Sequence, residues 1–178
     1  MSTRRIFIKN SLGSLAALTM GNEAFSLVKG FSKKEKLGVA LVGLGYYSTD
    51  LLAPALQLTQ YCSLKGIVTG SPDKAKRWQQ QYHIPEKNTY NYQSFDDIAG
   101  NADIDVIYIV LPPSMHAEYV IKTANAGKHV WCEKPMAVSV AECRAMIDAC
   151  KKNKVKLSIG YRMQHEPNTQ RIIQFRKD

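Results

Sequence analysis

The chain has 178 residues, 45% of them apolar and 22% charged, which describes about one folded domain and excludes a disordered segment or a protein with many membrane spans. Its formal charge of +9 is unevenly placed, because residues 1–36 hold seven basic and two acidic side chains and the rest of the chain seventeen and thirteen. The body therefore carries little surplus charge and lacks the arginine–aromatic strings of a nucleic-acid-binding surface, so no nucleic-acid partner is expected.

The chain opens Met1-Ser-Thr-Arg-Arg-Ile-Phe-Ile-Lys9 and continues into an apolar run over residues 11–20 that is too short and too rich in Gly, Ala and Ser to span a bilayer. Arg4-Arg5, flanked by Thr3, Phe7, Ile8 and Lys9, resembles a twin-arginine export signal, an address read by a receptor and not an anchor. The expectation is a protein that folds in the cytoplasm, is exported to the periplasm and has no stable membrane span. Residues 21–25 offer only Ala24 for a small-x-small cleavage site, and residues 26–36 read as a linker.

From residue 37 short β-rich runs alternate with helical stretches, the pattern of a parallel sheet with crossover helices. Strands are predicted at 37–42, 64–69, 104–111, 129–132 and 156–160. The first helix, over 48–58, should be bent or interrupted at Pro54. Ser71-Pro72 opens the second, since Ser accepts early amide bonds and Pro at the first helical position loses none; it ends near His83-Ile84-Pro85. One or two helical turns are expected over 94–99 and a helix over 114–126, stopped by Gly127. Ser139 and Glu142 make a capping box for a helix that runs to about Asn153, and a last amphipathic stretch covers 168–177. The cysteines, at 62, 132, 143 and 150, form no C-x-x-C pair and have no histidine at metal-site spacing, so buried reduced thiols are expected and no metal. Cys143 and Cys150 lie seven residues apart on a predicted helix, about 10 Å along its axis and out of disulfide reach.

Five strand ends carry the chemistry. Gly43-Leu-Gly45-Tyr46-Tyr47-Ser48 sits between a strand and a helix, where the first Gly permits a tight turn, the second admits a pyrophosphate and a small third residue allows close helix packing. Ser48 stands where Gly or Ala is usual. The second strand ends Val68-Thr69-Gly70 without the carboxylate that would bond the 2′-hydroxyl of NAD, while Ser71, Lys74 and Arg77 follow in reach of a 2′-phosphate. That favours NADP over NAD, although Asp73 is near and Lys74, Lys76 and Arg77 also fit a solvated helix face. At the next strand end, Leu111-Pro112-Pro113 can wall the nicotinamide side of the cleft, with His116 in the first helical turn as a lining candidate. Trp131-Cys132-Glu133-Lys134-Pro135-Met136 then brings an ionisable pair out of an apolar strand. Lys134, partly desolvated near a cationic nicotinamide, would be brought toward proton-transfer range, with Glu133 holding it in place. Gly160-Tyr161-Arg162 closes the last strand, with Arg162 able to contact cofactor or substrate and Tyr161 as a rim aromatic.

In this order and spacing, GLGYYS, LPPSMH, CEKPMAVSVAEC and IGYRMQHEP resemble the glucose-fructose oxidoreductase and inositol dehydrogenase family (Gfo/Idh/MocA) over about residues 37–178. With the paired arginines, the chain looks most like the exported glucose-fructose oxidoreductase branch. The resemblance implies a Rossmann-type, doubly wound α/β domain over 37–165 that binds NADP, a signal and linker over 1–36, and the start of a connecting helix over 166–178. It places Lys134 in the position of the family's catalytic lysine and Gly43, Gly45, Glu133 and Arg162 along the cofactor. Family members continue into an α+β, mostly antiparallel domain with further substrate residues and the oligomer interface, which is expected to be absent from this chain and to make the full-length protein a homo-oligomer. The implied activity is NADP-dependent hydride transfer to or from a CH–OH group of a sugar or polyol; the alternative is a catalytically incompetent nucleotide-binding or interaction module.

Overall fold

A computed structural model describes residues 35–175. The expected twin-arginine signal and nearly all of the expected linker lie outside the described residues. Six strands, β1 (Leu37–Val42), β2 (Cys62–Val68), β3 (Thr89–Tyr90), β4 (Val106–Ile109), β5 (His129–Cys132) and β6 (Leu157–Ile159), form one parallel sheet in the order β3-β2-β1-β4-β5-β6. Consecutive strands run outward from β1 in one direction and then, from β4, in the other, so the order reverses between β1 and β4. In open sheets the loops leaving the carboxyl ends part at such a point and leave a crevice.

The alternation of side chains along a strand sorts the core into two layers. Ala40, Val42, Ile107, Ile109, Val130 and Cys132 point to one face, where they meet Tyr119, Val120 and Ala124 of α3 (Pro113–Asn125) and Met146 and Cys150 of α4 (Val140–Lys152). Leu41 and Ile67 point to the other, against Ala53 of the first helix and Trp78 of the second. Full burial of each Leu or Ile stabilises the fold by about 1.5–3 kcal/mol.

The first helix starts as a π-helical turn, Ser48–Leu52, in which the Ala53 amide donates to the Ser48 carbonyl, and continues as α1 (Ala53–Leu58). Pro54 has no amide to offer the regular ladder. The expected interruption is thus a change of hydrogen-bond register one residue ahead of the proline. Ser71 caps α2 (Pro72–Tyr82), its hydroxyl accepting the Lys74 amide at 3.4 Å, and His83, at φ 53°, ends it. Ser139 caps α4 through the Glu142 amide at 3.2 Å, while the Glu142 carboxylate accepts from Val138, one residue outside the expected box. The turn over 94–99 is a 3-10 helix, Phe95–Gly100, and α5 (Pro167–Phe175) follows β6. Three elements lie outside the sequence expectation: a 3-10 turn, Glu86–Asn88, the two-residue β3, and a second 3-10 turn, Arg162–His165. Cys132 and Cys150 are buried and Cys62 and Cys143 half-buried, all four as free thiols. No helix among the described residues is long and apolar enough to cross a membrane.

Candidate functional site

The turn after β1 is built on Gly43, which has a φ of +89°. A Cβ there would lie 2.3 Å from the Val110 carbonyl, so the turn needs glycine for its conformation and for its approach to the end of β4. The Gly43 amide donates to Val68 at 3.1 Å, and its carbonyl accepts the Ser48 hydroxyl at 2.6 Å. Ser48 is fully buried. The residue in the third small place therefore closes the turn as well as fitting it. Gly45 differs from Gly43, since nothing lies within 4 Å of a Cβ built on it. No protein contact requires glycine at 45; the open side admits another molecule's close approach.

Beyond β2, Thr69 accepts the Ser71 amide at 3.2 Å, and Lys74, from the first turn of α2, donates its ammonium to the Leu44 carbonyl at 3.1 Å. Lys74 thus pins the second helix to the glycine turn and leaves a positive charge beside it. It borders a groove of about 320 Å³ with Gly45, Tyr46, Thr49, Asp50 and Arg77. No carboxylate stands at the end of β2, and Asp73 is exposed on α2.

A larger cleft, of about 700 Å³, opens where the sheet order reverses. Tyr46, Tyr47 and Leu51 line one side, Val110 and Leu111 the base, and Glu133, Lys134, Gly160, Tyr161, Arg162 and Met163 the other side. Of the expected residues, Tyr46, Tyr47, Leu111, Glu133, Lys134 and Arg162 converge here. Ser71 and Lys74 lie on the α2 side of the glycine turn, outside this cleft. Pro112 and Pro113 frame the turn into α3 without lining it. His116 corrects the expectation: it is 0% exposed, and its ring nitrogens meet the carbonyls of Pro135 at 2.9 Å and Leu111 at 2.8 Å. The first turn of α3 carries the ring inward beneath the loops, where it cannot touch a ligand.

Glu133 is the best-anchored group of the cleft. Although only 8% exposed, its carboxylate accepts the Tyr108 hydroxyl at 2.6 Å and the Lys134 amide at 3.2 Å. Burial first, and the Glu133 carboxylate second, push the Tyr108 phenol well above its ordinary range. The Trp131 ring meets Tyr108 edge-on at 5.7 Å. Glu133 therefore holds Lys134 by its backbone and not by its ammonium. Lys134 itself is exposed, which corrects the expectation of a partly desolvated amine: burial ends at Glu133, one residue past β5, and Lys134 follows it at the wall of the cleft. On the far side Gly160 makes room, because a Cβ there would lie 2.8 Å from the Glu133 Oε1 and 3.2 Å from the Tyr108 hydroxyl.

Tyr108 and Gly160 are the functional residues that sequence reading passes over. The signal for the first is a single hydroxyl within the otherwise apolar run 106–111, and for the second a glycine at the end of the last strand. Among the described residues, no three His, Cys, Asp or Glu side chains converge as a metal site. The cleft combines free space beside a glycine turn, an apolar base, and two exposed cations next to a buried carboxylate. That arrangement can take an extended anion and exchange a proton at the Lys134 end.

The family model "Oxidoreductase family, NAD-binding Rossmann fold" (Gfo/Idh/MocA) matches residues 37–161. D-xylose 1-dehydrogenase [NADP(+)] of Haloarcula marismortui is 30% identical over 132 residues, 74% of this chain and 36% of that protein. Inositol 2-dehydrogenase of Salmonella typhimurium is 30% identical over 134 residues, covering 73% of this chain and 38% of its own length. Among solved structures, aldose-aldose oxidoreductase from Caulobacter crescentus superposes with a TM-score of 0.74 at 47% identity, over 75% of this chain and 40% of the other. The chain thus spans 36 to 40% of the length of these relatives. Strand order, glycine turn and family match agree: the chain belongs to the Gfo/Idh/MocA oxidoreductase family, with its NAD-binding Rossmann fold.

Proposed function

We propose that this chain binds NADP as part of an oxidoreductase acting on a sugar or polyol, with Lys134 exchanging a proton with the reacting oxygen. The observation that carries this reading is that Tyr46 and Tyr47 of the glycine turn line the same cleft as Lys134, at the reversal of strand order. The residues fit a dinucleotide: Gly43 turns the chain, and the open side of Gly45 leaves room for a pyrophosphate. The absent carboxylate after Val68 and the ammonium of Lys74 suit a 2′-phosphate, which a carboxylate would repel. The nicotinamide supplies, when bound, the hydride acceptor or donor. Lys134 Nζ, exposed in the cleft and fixed through its backbone by Glu133, then gives or takes the proton of the substrate hydroxyl or carbonyl. The names of the relatives, acting on D-xylose with NADP, on inositol and on aldoses, support a polyhydroxylated substrate.

The test is a parallel titration of the chain with NADP and NAD, followed through Trp78, which borders the Lys74 groove, and Trp131. Saturable binding at least tenfold tighter for NADP is expected, and Lys74→Ala should remove most of that difference. A folded chain that binds neither, or prefers NAD, overturns the reading.

The run from Thr3 to Lys9 further supports export to the periplasm by the twin-arginine route. Replacing Arg4 and Arg5 by Lys should retain the chain in the cytoplasmic fraction; unchanged distribution of the variant refutes it.

A further inference from the structure

We infer that His116 is a positioning residue that locks the Lys134 turn to the turn leaving β4. This rests on the functional reading of Lys134 only for its catalytic meaning; the lock itself is a property of the fold. His116 lies in the first turn of α3, is fully buried, and reaches Leu111 five residues back and Pro135 nineteen residues ahead. Both partners are backbone carbonyls, which only accept: a protonated ring donates to both, and a neutral ring donates to one while its other nitrogen stays in contact with the second. Leu111 lines the base of the cleft and Pro135 directly follows Lys134. The ring is wedged between two loops that emerge from neighbouring strands β4 and β5, with a nitrogen within 2.9 Å of a carbonyl of each.

The consequence for Lys134 follows from what holds it on each side. Its amide donates to Glu133, whose carboxylate is fixed in turn by Tyr108, and the carbonyl of the following residue, Pro135, meets the His116 ring. The backbone of Lys134 is thus bracketed by two buried side chains, one anchored in β4 and the other in α3, while its own side chain stays free to move in the cleft. A proton-transferring amine needs a fixed root, because misplacement by about 1 Å can cost on the order of a hundredfold in rate. Glu133 without His116 would fix only the amide side and leave the turn beyond it to swing.

The test is hydrogen exchange of the whole chain without cofactor. His116→Phe keeps the ring volume and removes both ring nitrogens; His116→Gln restores a donor. In His116→Phe, amides of residues 133–138 are expected to exchange at least tenfold faster, with those of β1 and β2 unchanged, and His116→Gln should fall between this variant and the native chain. Equal acceleration throughout the sheet would reduce His116 to a general core residue, and unchanged exchange at 133–138 would remove the lock; either overturns the inference. If the Phe variant does not fold, the Gln variant decides by the same local-against-global comparison. NADP titration of the same proteins separates the two readings. Failure of the native chain to bind removes the proposed function and leaves the exchange result to judge the lock.

Discussion

Gly160→Ala is the sharpest probe of the anchored carboxylate. Gly160 has a φ outside the left-handed region, so alanine adds only a methyl group and no backbone strain. That methyl would lie 2.8 Å from the Glu133 Oε1, 3.3 Å from its Cδ and 3.2 Å from the Tyr108 hydroxyl. Comfortable contact requires a retreat of about 0.5 Å or more by groups already joined at 2.6 Å. A hydrogen bond to a charged group contributes about 1.5–3 kcal/mol, and the Lys134 amide bond loosens when the carboxylate turns. The expected loss is about 2 kcal/mol in the free energy of unfolding, measured in urea through Trp131 fluorescence, since Trp131 packs on Tyr108. In a Tyr108→Phe background the bond is already gone, so the same substitution should cost at least about 1 kcal/mol less. Strict additivity of the two changes, or a Gly160→Ala chain within about 0.5 kcal/mol of native, would refute the claim that Gly160 is kept open for the Tyr108–Glu133 pair.

The two glycines of the first turn should separate folding from binding. Gly43→Ala places a methyl 2.3 Å from a backbone carbonyl at a φ of +89°, and a loss of about 3 kcal/mol or more is expected in thermal or urea unfolding. Gly45→Ala meets nothing within 4 Å, so stability should stay within about 0.5 kcal/mol while NADP affinity falls at least tenfold; unchanged affinity would show that the open side is not where the dinucleotide lies. A third expectation concerns Cys132, whose thiol is pushed by burial, with the Glu133 carboxylate adding, from its ordinary 9.0 up to about 12. An acid raised in the folded state contributes stability fully below its unfolded value. That contribution is lost as pH climbs from 9.0 toward about 12, because only the unfolded thiol ionises. Unfolding measured at about pH 8 and about pH 10.5 should show this decline, by up to about 1.4 kcal/mol per pH unit, and Cys132→Ala should lack the thiol's share. The Tyr108 share, raised from 10.0, stays. An identical slope in both proteins would exclude a buried thiol as its source.

Local signals in the sequence locate β1 and β5 to the residue, the Ser71 and Ser139 caps, and the stop at Gly127. Each depends on residues within a few positions of one another, so one stretch of chain is enough to read it. β3 escapes because two residues carry no periodicity: Thr89 and Tyr90 are a strand only because Ile67 and Val68 offer them a partner. Tyr108 and Glu133, 25 residues apart, meet through the pairing of β4 with β5, which no local pattern encodes. His116 shows the limit most plainly. Its place in the first turn of a helix after a strand end is legible, but whether that turn shows the ring to the cleft or to the core depends on the register of α3 against the sheet. The exposure of Lys134 is of the same kind, since it follows from what Glu133 bonds and not from the apolar run before it.

The end of β4 joins the two layers of the core to the site. Val110 packs into the cluster under α1 and α2, and Leu111 into the one under α3 and α4, so two consecutive residues at the base of one cleft belong to opposite faces of the sheet. The same strand sends Tyr108 to Glu133, and its exit loop offers the Leu111 carbonyl to His116. Beside its end, on the β1 side, lies the glycine turn, with the Gly43 position packed on the Val110 carbonyl. A displacement of β4 relative to β1 would therefore move the glycine turn, the anchor of Glu133 and the anchor of the Lys134 turn together. Because close-packed layers resist such sliding, the distance across the cleft between Tyr46 or Tyr47 and Lys134 is set by the β1–β4 pairing, Val39 with Val106 through Val42 with Ile109. The loops need not be rigid in themselves: the paired strands hold their roots at a fixed spacing, and the exposed side chains of Tyr46, Lys134 and Arg162 keep the freedom to close on what enters.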